Sequence, residues 1–188
     1  MKKKNKRILG ILGGTFDPPH DGHKFISNYA ILKLNLNEVW WVVSKNPFKP
    51  NSKSLQIRRK LVKKFLKSRK IKYIEIEPIH SIYAIDSIKY LKTKFKSCKF
   101  IWLMGTDNLY DFHLWKNWRD IFYNIPIAIF DRPSYSFIIT KSKALLFFRK
   151  FRIKKNFSKS LNPSKLPSWA FISGLKNNQS SSYLRKNR

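Results

Sequence analysis

The chain has 188 residues and carries 40 lysines and arginines against 10 aspartates and glutamates, a formal net charge of +30. That length suits one compact α/β domain spanning 1–188 and is short for two, and the single cysteine, Cys98, excludes an intrachain disulfide and a cysteine-rich zinc site while fitting a reducing compartment, the cytoplasm. Such a charge would ordinarily point to nucleic acid or a membrane surface, but lysine, isoleucine, asparagine and phenylalanine are abundant throughout, as coding bias would produce, and no apolar stretch approaches the length of a bilayer span. No specific nucleic-acid partner and no membrane partner is therefore expected, and the positive field is read as an aid to capturing small polyanions.

Residues 1–6 form a basic N-terminal tail, and the short, glycine-interrupted apolar run that follows reads as a first strand over 7–12 rather than as a signal peptide. A helix is predicted over 22–34, a strand over 39–43, and a helix over 55–69 with Leu55, Leu61, Val62, Phe65 and Leu66 spaced for one buried face. Then come a strand over 71–76, a helix over 84–96, a strand over 99–104, a helix over 118–124, a strand over 126–130, a helix over 140–149 and a last strand over 169–172. The stretch 150–168, basic and then rich in Ser, Asn and Pro, reads as a mobile basic loop with a solvated surface. The alternation implies a doubly wound, mainly parallel, Rossmann-like sheet whose ligand lies beyond the carboxyl ends of the strands.

The first strand runs into Gly13-Gly14-Thr15-Phe16-Asp17-Pro18-Pro19-His20-Asp21-Gly22-His23. Glycines there permit a sharp turn and close approach to a ligand, the prolines suit the beginning of a helix, and a helix start offers unpaired N–H groups to an anion. His20 and His23 are three residues apart, so a helix would set both imidazoles on one face as neutral or cationic donors to the same phosphates.

This run resembles the (H/T)xGH signature of the nucleotidyltransferases, and in its fuller form, GGxFDPxHxGH, it is similar to the bacterial nicotinate-nucleotide adenylyltransferases. Three more segments carry the likeness in the family's order: Gly105-Thr106-Asp107-Asn108 with Phe112 and Trp115, the pair Arg132-Pro133, and Ser180-Ser181-Ser182-Tyr183-Leu184-Arg185. The resemblance implies adenylyl transfer from ATP to nicotinate mononucleotide, giving deamido-NAD and pyrophosphate, with Mg²⁺ carried mainly by ATP. Catalysis then falls to His20, His23 and Arg185. ATP would be held by Gly13, Gly14, Thr15 and Phe16, the two histidines, Gly105, Asp107, Arg132, Ser181, Ser182 and Arg185. Asn46, Lys49, Tyr83, Ala84 and Trp115 would hold the mononucleotide, with Trp115 packed on the pyridine ring.

Some positions stay open or depart from the family pattern. Trp115 also fits a core residue, and Asp107 fits a ribose contact, a place near the metal, or a helix N-cap. Ala84 and Ser182 stand where relatives have threonine, and Gln179 stands where they have isoleucine. No carboxylate cluster at metal-ligand spacing is seen, so no protein metal site is expected, and the oligomeric state is left open. The alternative within enzymes is another nucleotidyltransferase of this motif, acting on pantetheine phosphate or transferring cytidylyl groups. The alternative outside them is an RNA-binding protein on the same scaffold. The double glycine, the doubled proline and the Gly105-to-Trp115 segment speak against the first, and the intact His20, His23 and Arg185 against the second.

Overall fold

The computed structural model describes residues 6–45, 52–132, 137–154 and 161–174. Seven strands form one parallel sheet: β1 (Arg7–Gly14), β2 (Glu38–Val43), β3 (Ile71–Tyr73), β4 (Cys98–Gly105), β5 (Ile127–Phe130), β6 (Arg152–Ile153) and β7 (Trp169–Ile172), in the spatial order β3-β2-β1-β4-β5-β7-β6. Parallel strands covered on both faces bury most of their side chains, which is why they read as near-continuous apolar runs in the sequence. On one face Leu9, Ile11, Trp40, Val42, Phe100, Trp102, Ile127 and Ile129 pack against α3 (Ala84–Lys94), α4 (Trp118–Asn124) and α6 (Lys143–Phe147). The alternate residues, among them Leu12, Trp41, Val43, Ile101, Leu103 and Phe130, pack against α1 (Asp21–Leu34) and α2 (Leu55–Phe65) on the other.

The sequence turns outward from β1 in both directions, toward β2 on one side and β4 on the other, so the point where strand order reverses lies between β1 and β4. A crevice opens at such a point, beyond the carboxyl ends of the strands.

Four elements differ from the expected ones. The helix predicted over 55–69 stops at Phe65, because Leu66 adopts an extended backbone, and β3 keeps only the three residues that pair with β2. The helix predicted over 140–149 is two, α5 (Ile138–Lys141) and α6, because Ser142 leaves the helical conformation and its hydroxyl accepts the Leu145 N–H at the start of α6. Within the stretch expected to be loop, Arg152 and Ile153 pair with Trp169 and Ala170 and add β6 to the sheet edge. Trp40, Trp41, Trp102 and Trp169 are all buried in the core.

Candidate active site

Beyond the ends of β1, β2 and β4 lies a cavity of about 430 Å³, within the range of small-molecule sites. Gly13, Gly14, Thr15, His20 and His23 line it from the β1–α1 side, Gly105 and Asp107 from the end of β4, Tyr83 and Ala84 from the start of α3, Trp115 from the segment after β4, and Arg132 from the end of β5. Eleven residues singled out in the sequence thus meet around one space. Asn46, Lys49, Ser181, Ser182 and Arg185 lie outside the described residues.

The β1–α1 turn is held in place from several directions. A Cβ at Gly13 would lie 2.5 Å from the Trp102 indole, so only glycine lets β1 pass over that buried ring, which forms both core and cavity wall. Phe16 sits in the left-handed region with φ of 48°, which costs a non-glycine residue roughly 1 kcal/mol or more. Its ring offsets this by stacking on Trp41 at 4.7 Å and tilting against His23 at 4.7 Å. The Phe16 side chain is therefore interior, and only its backbone can serve a ligand.

The prolines precede the helix rather than entering its first turn. Helix α1 begins at Asp21, and His20 is its N-cap, with an extended backbone at φ −150° and ψ 168°. The two imidazoles nevertheless meet, with ring centroids 3.7 Å apart. His23 Nδ1 accepts the His20 N–H at 3.2 Å, which leaves the proton of a neutral His23 ring on Nε2. Behind it, Trp41 Nε1 donates to Ser27 Oγ and Ser27 Oγ donates to the His23 carbonyl, each at 2.8 Å, so the first turn of α1 is tied to β2.

His20 is buried, and burial, aided by the positive charge of Arg132, lowers its pKa from 6.5 to about 4. It is thus a neutral donor near pH 7, not a cation. The folded chain refuses a proton that the unfolded chain accepts between pH 6.5 and about 4. Stability should therefore fall as pH drops through that window, by about 2 kcal/mol once screening through the open cavity is allowed for. Urea unfolding at about pH 7.5 and about pH 4.5 checks this, and His20→Gln should remove this part of the loss.

At the end of β4, Asp107 lies in a 3-10 turn, Thr106–Leu109, whose N-cap is Gly105 rather than Asp107 itself. Its carboxylate pairs with Arg132 Nε at 3.3 Å, and the Arg132 N–H donates to the buried Thr106 hydroxyl at 2.9 Å. A Cβ at Gly105 would stand 2.3 Å from Asp107 Oδ1, so glycine makes room for this pair at the cavity wall. Trp115 is half-buried, packed on Phe112 at 4.9 Å with its indole reaching the cavity. The same side chain thus packs against the core and lines the cavity. Lys116, which sequence reasoning did not single out, also lines the cavity, with Nζ 4.6 Å above the Tyr83 ring and 3.4 Å from Asp86.

Among the described residues, no three His, Cys, Asp or Glu side chains gather as a metal site, and no helix is long and apolar enough to cross a membrane.

Residues 11–187 match the model of the cytidylyltransferase-like family. The chain is 36% identical over 181 residues to a protein of Bradyrhizobium sp. (strain ORS 278), covering 94% of each chain. It is 35% identical over 182 residues to one of Brucella suis biovar 1 (strain 1330), covering 95% of this chain and 94% of that one. Both bear the name "Probable nicotinate-nucleotide adenylyltransferase". The fold is also similar to that of a Plasmodium falciparum nicotinic acid mononucleotide adenylyltransferase solved with NaAD, with a TM-score of 0.69 at 20% identity, over 96% of this chain and 83% of that one. With the glycine turn after β1, the paired histidines and the relatives all in agreement, this chain belongs to the cytidylyltransferase-like family and, within it, to the nicotinate-nucleotide adenylyltransferases.

Proposed function

We propose that this protein transfers the adenylyl group of Mg·ATP to nicotinate mononucleotide, releasing pyrophosphate and forming deamido-NAD. The observation that carries this reading is that one cavity is lined both by the His20–His23 pair, suited to phosphates, and by the aromatic rings of Trp115 and Tyr83. The acceptor's phosphate is already ionised near pH 7, so the reaction needs alignment and charge dispersal more than a base. An acceptor phosphate oxygen bonds to the α-phosphorus while the bond to the β-phosphate oxygen breaks, and pyrophosphate leaves with the electron pair. No covalent link to the enzyme is required.

The residues divide the work. Neutral His20 and the Nε2–H of His23 donate to phosphate oxygens where charge builds, and the backbone of the Gly13–Phe16 turn supplies further N–H groups. Arg132, paired with Asp107 and with its backbone N–H on Thr106, adds positive charge to the cavity and is close enough to His20 to lower its pKa. Trp115 and Tyr83 offer ring faces to the pyridine, and the start of α3 at Ala84 offers N–H groups and a positive helix end to its carboxylate. Ser181, Ser182 and Arg185 complete the triphosphate contacts by resemblance alone, as do Asn46 and Lys49 for the mononucleotide. Mg²⁺ belongs to the nucleotide in this scheme and arrives with it. The single cysteine fits a cytoplasmic place of work.

ATP labelled at the α-phosphate tests the reading. Label should pass to a dinucleotide only when nicotinate mononucleotide is present, with one pyrophosphate per dinucleotide. Transfer of label to the protein itself would contradict direct displacement.

A further inference from the structure

Arg58 is the most buried cation among the described residues, at 3% exposure, and it lies on α2, outside the cavity. Its hydrogen bonds go to three backbone carbonyls on three stretches of chain. Nη1 donates to the Thr15 carbonyl at 2.7 Å and to the Ser44 carbonyl at 2.7 Å, and Nε donates to the Lys53 carbonyl at 2.8 Å. Asp17, whose charge favours the guanidinium, accepts the Lys53 N–H at 3.0 Å. The Ser44 N–H in turn donates to the Gly14 carbonyl at 2.9 Å. One cation thus fastens the turn after β1, the chain leaving β2 and the chain approaching α2.

We infer that Arg58 is a positioning residue for the triphosphate, acting through the Thr15–Phe16 peptide; this rests on the adenylyl-transfer reading above. That peptide is trans, so its carbonyl and its N–H point in opposite directions. Drawing the Thr15 carbonyl onto Arg58 turns the Phe16 N–H away from that guanidinium, in a turn whose Thr15 and His20 line the cavity. Phe16 holds its left-handed backbone only because the surroundings impose it, and Arg58 is the polar part of that restraint as the Trp41 stack is the apolar part. A planar guanidinium can hold three carbonyls in a fixed fork. An ammonium, a compact charge on a flexible stem, reproduces the charge but not the fork.

The test compares the intact protein with Arg58→Met, Arg58→Lys and Val62→Ala, the last a core change on the same helix that leaves the turn untouched. Binding of a non-hydrolysable ATP analogue is measured by calorimetry without acceptor, alongside kcat and both KM values well below each melting temperature. Arg58→Met should weaken analogue binding and lower kcat by roughly tenfold or more, with the mononucleotide KM changed less than about threefold; Arg58→Lys should fall between it and the wild type. Val62→Ala should lower the melting temperature while leaving affinity and kcat within about twofold. If Arg58→Met and Arg58→Lys lose thermal stability yet bind and turn over like wild type, Arg58 only supports the fold and the inference is overturned. Should Arg58→Met not fold, Arg58→Lys decides alone, and wild-type affinity and turnover in it overturn the inference. Wild-type protein that binds the analogue but adenylates no mononucleotide would sink the functional reading instead, and Arg58 would still be judged by the binding arm.

Discussion

Alanine at His20 or at His23 should each lower kcat by roughly 10²–10³-fold while the KM for nicotinate mononucleotide moves little. Both rings line the cavity, and a donor aimed at charge that grows during transfer acts chiefly in the transition state. His23 also has a structural part, since its Nδ1 accepts the His20 N–H at the start of α1. His23→Asn separates the two, because the amide oxygen can accept that N–H while the shorter side chain lacks the Nε2 donor. Near-normal stability with kcat as low as in His23→Ala is the expected result. Turnover near the wild-type value in either alanine variant, with the fold intact by circular dichroism, would remove the histidines from the chemistry.

Trp115→Ala should raise the KM for the mononucleotide by about 30- to 150-fold and leave the KM for ATP nearly unchanged. Covering one face of a pyridine ring and stacking on it is worth about 2–3 kcal/mol together. The stability change separates wall from core. Trp115 is only half-buried, so its loss should cost less than the roughly 3–5 kcal/mol of a fully buried aromatic. A large drop in melting temperature with an unchanged KM would make it a core residue alone. Trp115→Phe should recover most of the affinity, since a smaller ring still presents a flat face.

How much of this was legible in the sequence depended on the range of the interaction. Strands β1, β2, β4, β5 and β7 showed as apolar runs because both faces of a parallel sheet are covered, and the Gly13-to-His23 turn was legible because its glycines and histidines are adjacent in the chain. β6 was not, because two residues become a strand only through their pairing with Trp169 and Ala170. The Asp107–Arg132 pair joins the ends of two strands and has no local signature, so Asp107 could equally be read as a cap. The histidines' spacing suggested two helical positions, whereas His20 precedes the helix; the low pKa that makes it neutral comes from burial and from Arg132, neither of which spacing conveys.

Arg58 shows the same limit. It stands four residues before Val62, on the face of α2 that also carries Leu55 and Phe65, and a basic residue on an apolar stripe was the one available signal. In a chain with 40 lysines and arginines that signal was lost among solvated charges. Only the folded structure reveals that this guanidinium points inward to three carbonyls.

The most direct test of the account compares acceptors. Purified protein, ATP and Mg²⁺ are incubated separately with nicotinate mononucleotide, with its amide counterpart, with pantetheine phosphate and with no acceptor, and pyrophosphate release is followed. The account predicts rapid release with nicotinate mononucleotide, at least about tenfold lower kcat/KM with the amide, which lacks the carboxylate assigned above to the N-terminus of α3, and background release with the other two. Equal kcat/KM for acid and amide, or faster release with pantetheine phosphate, would contradict it.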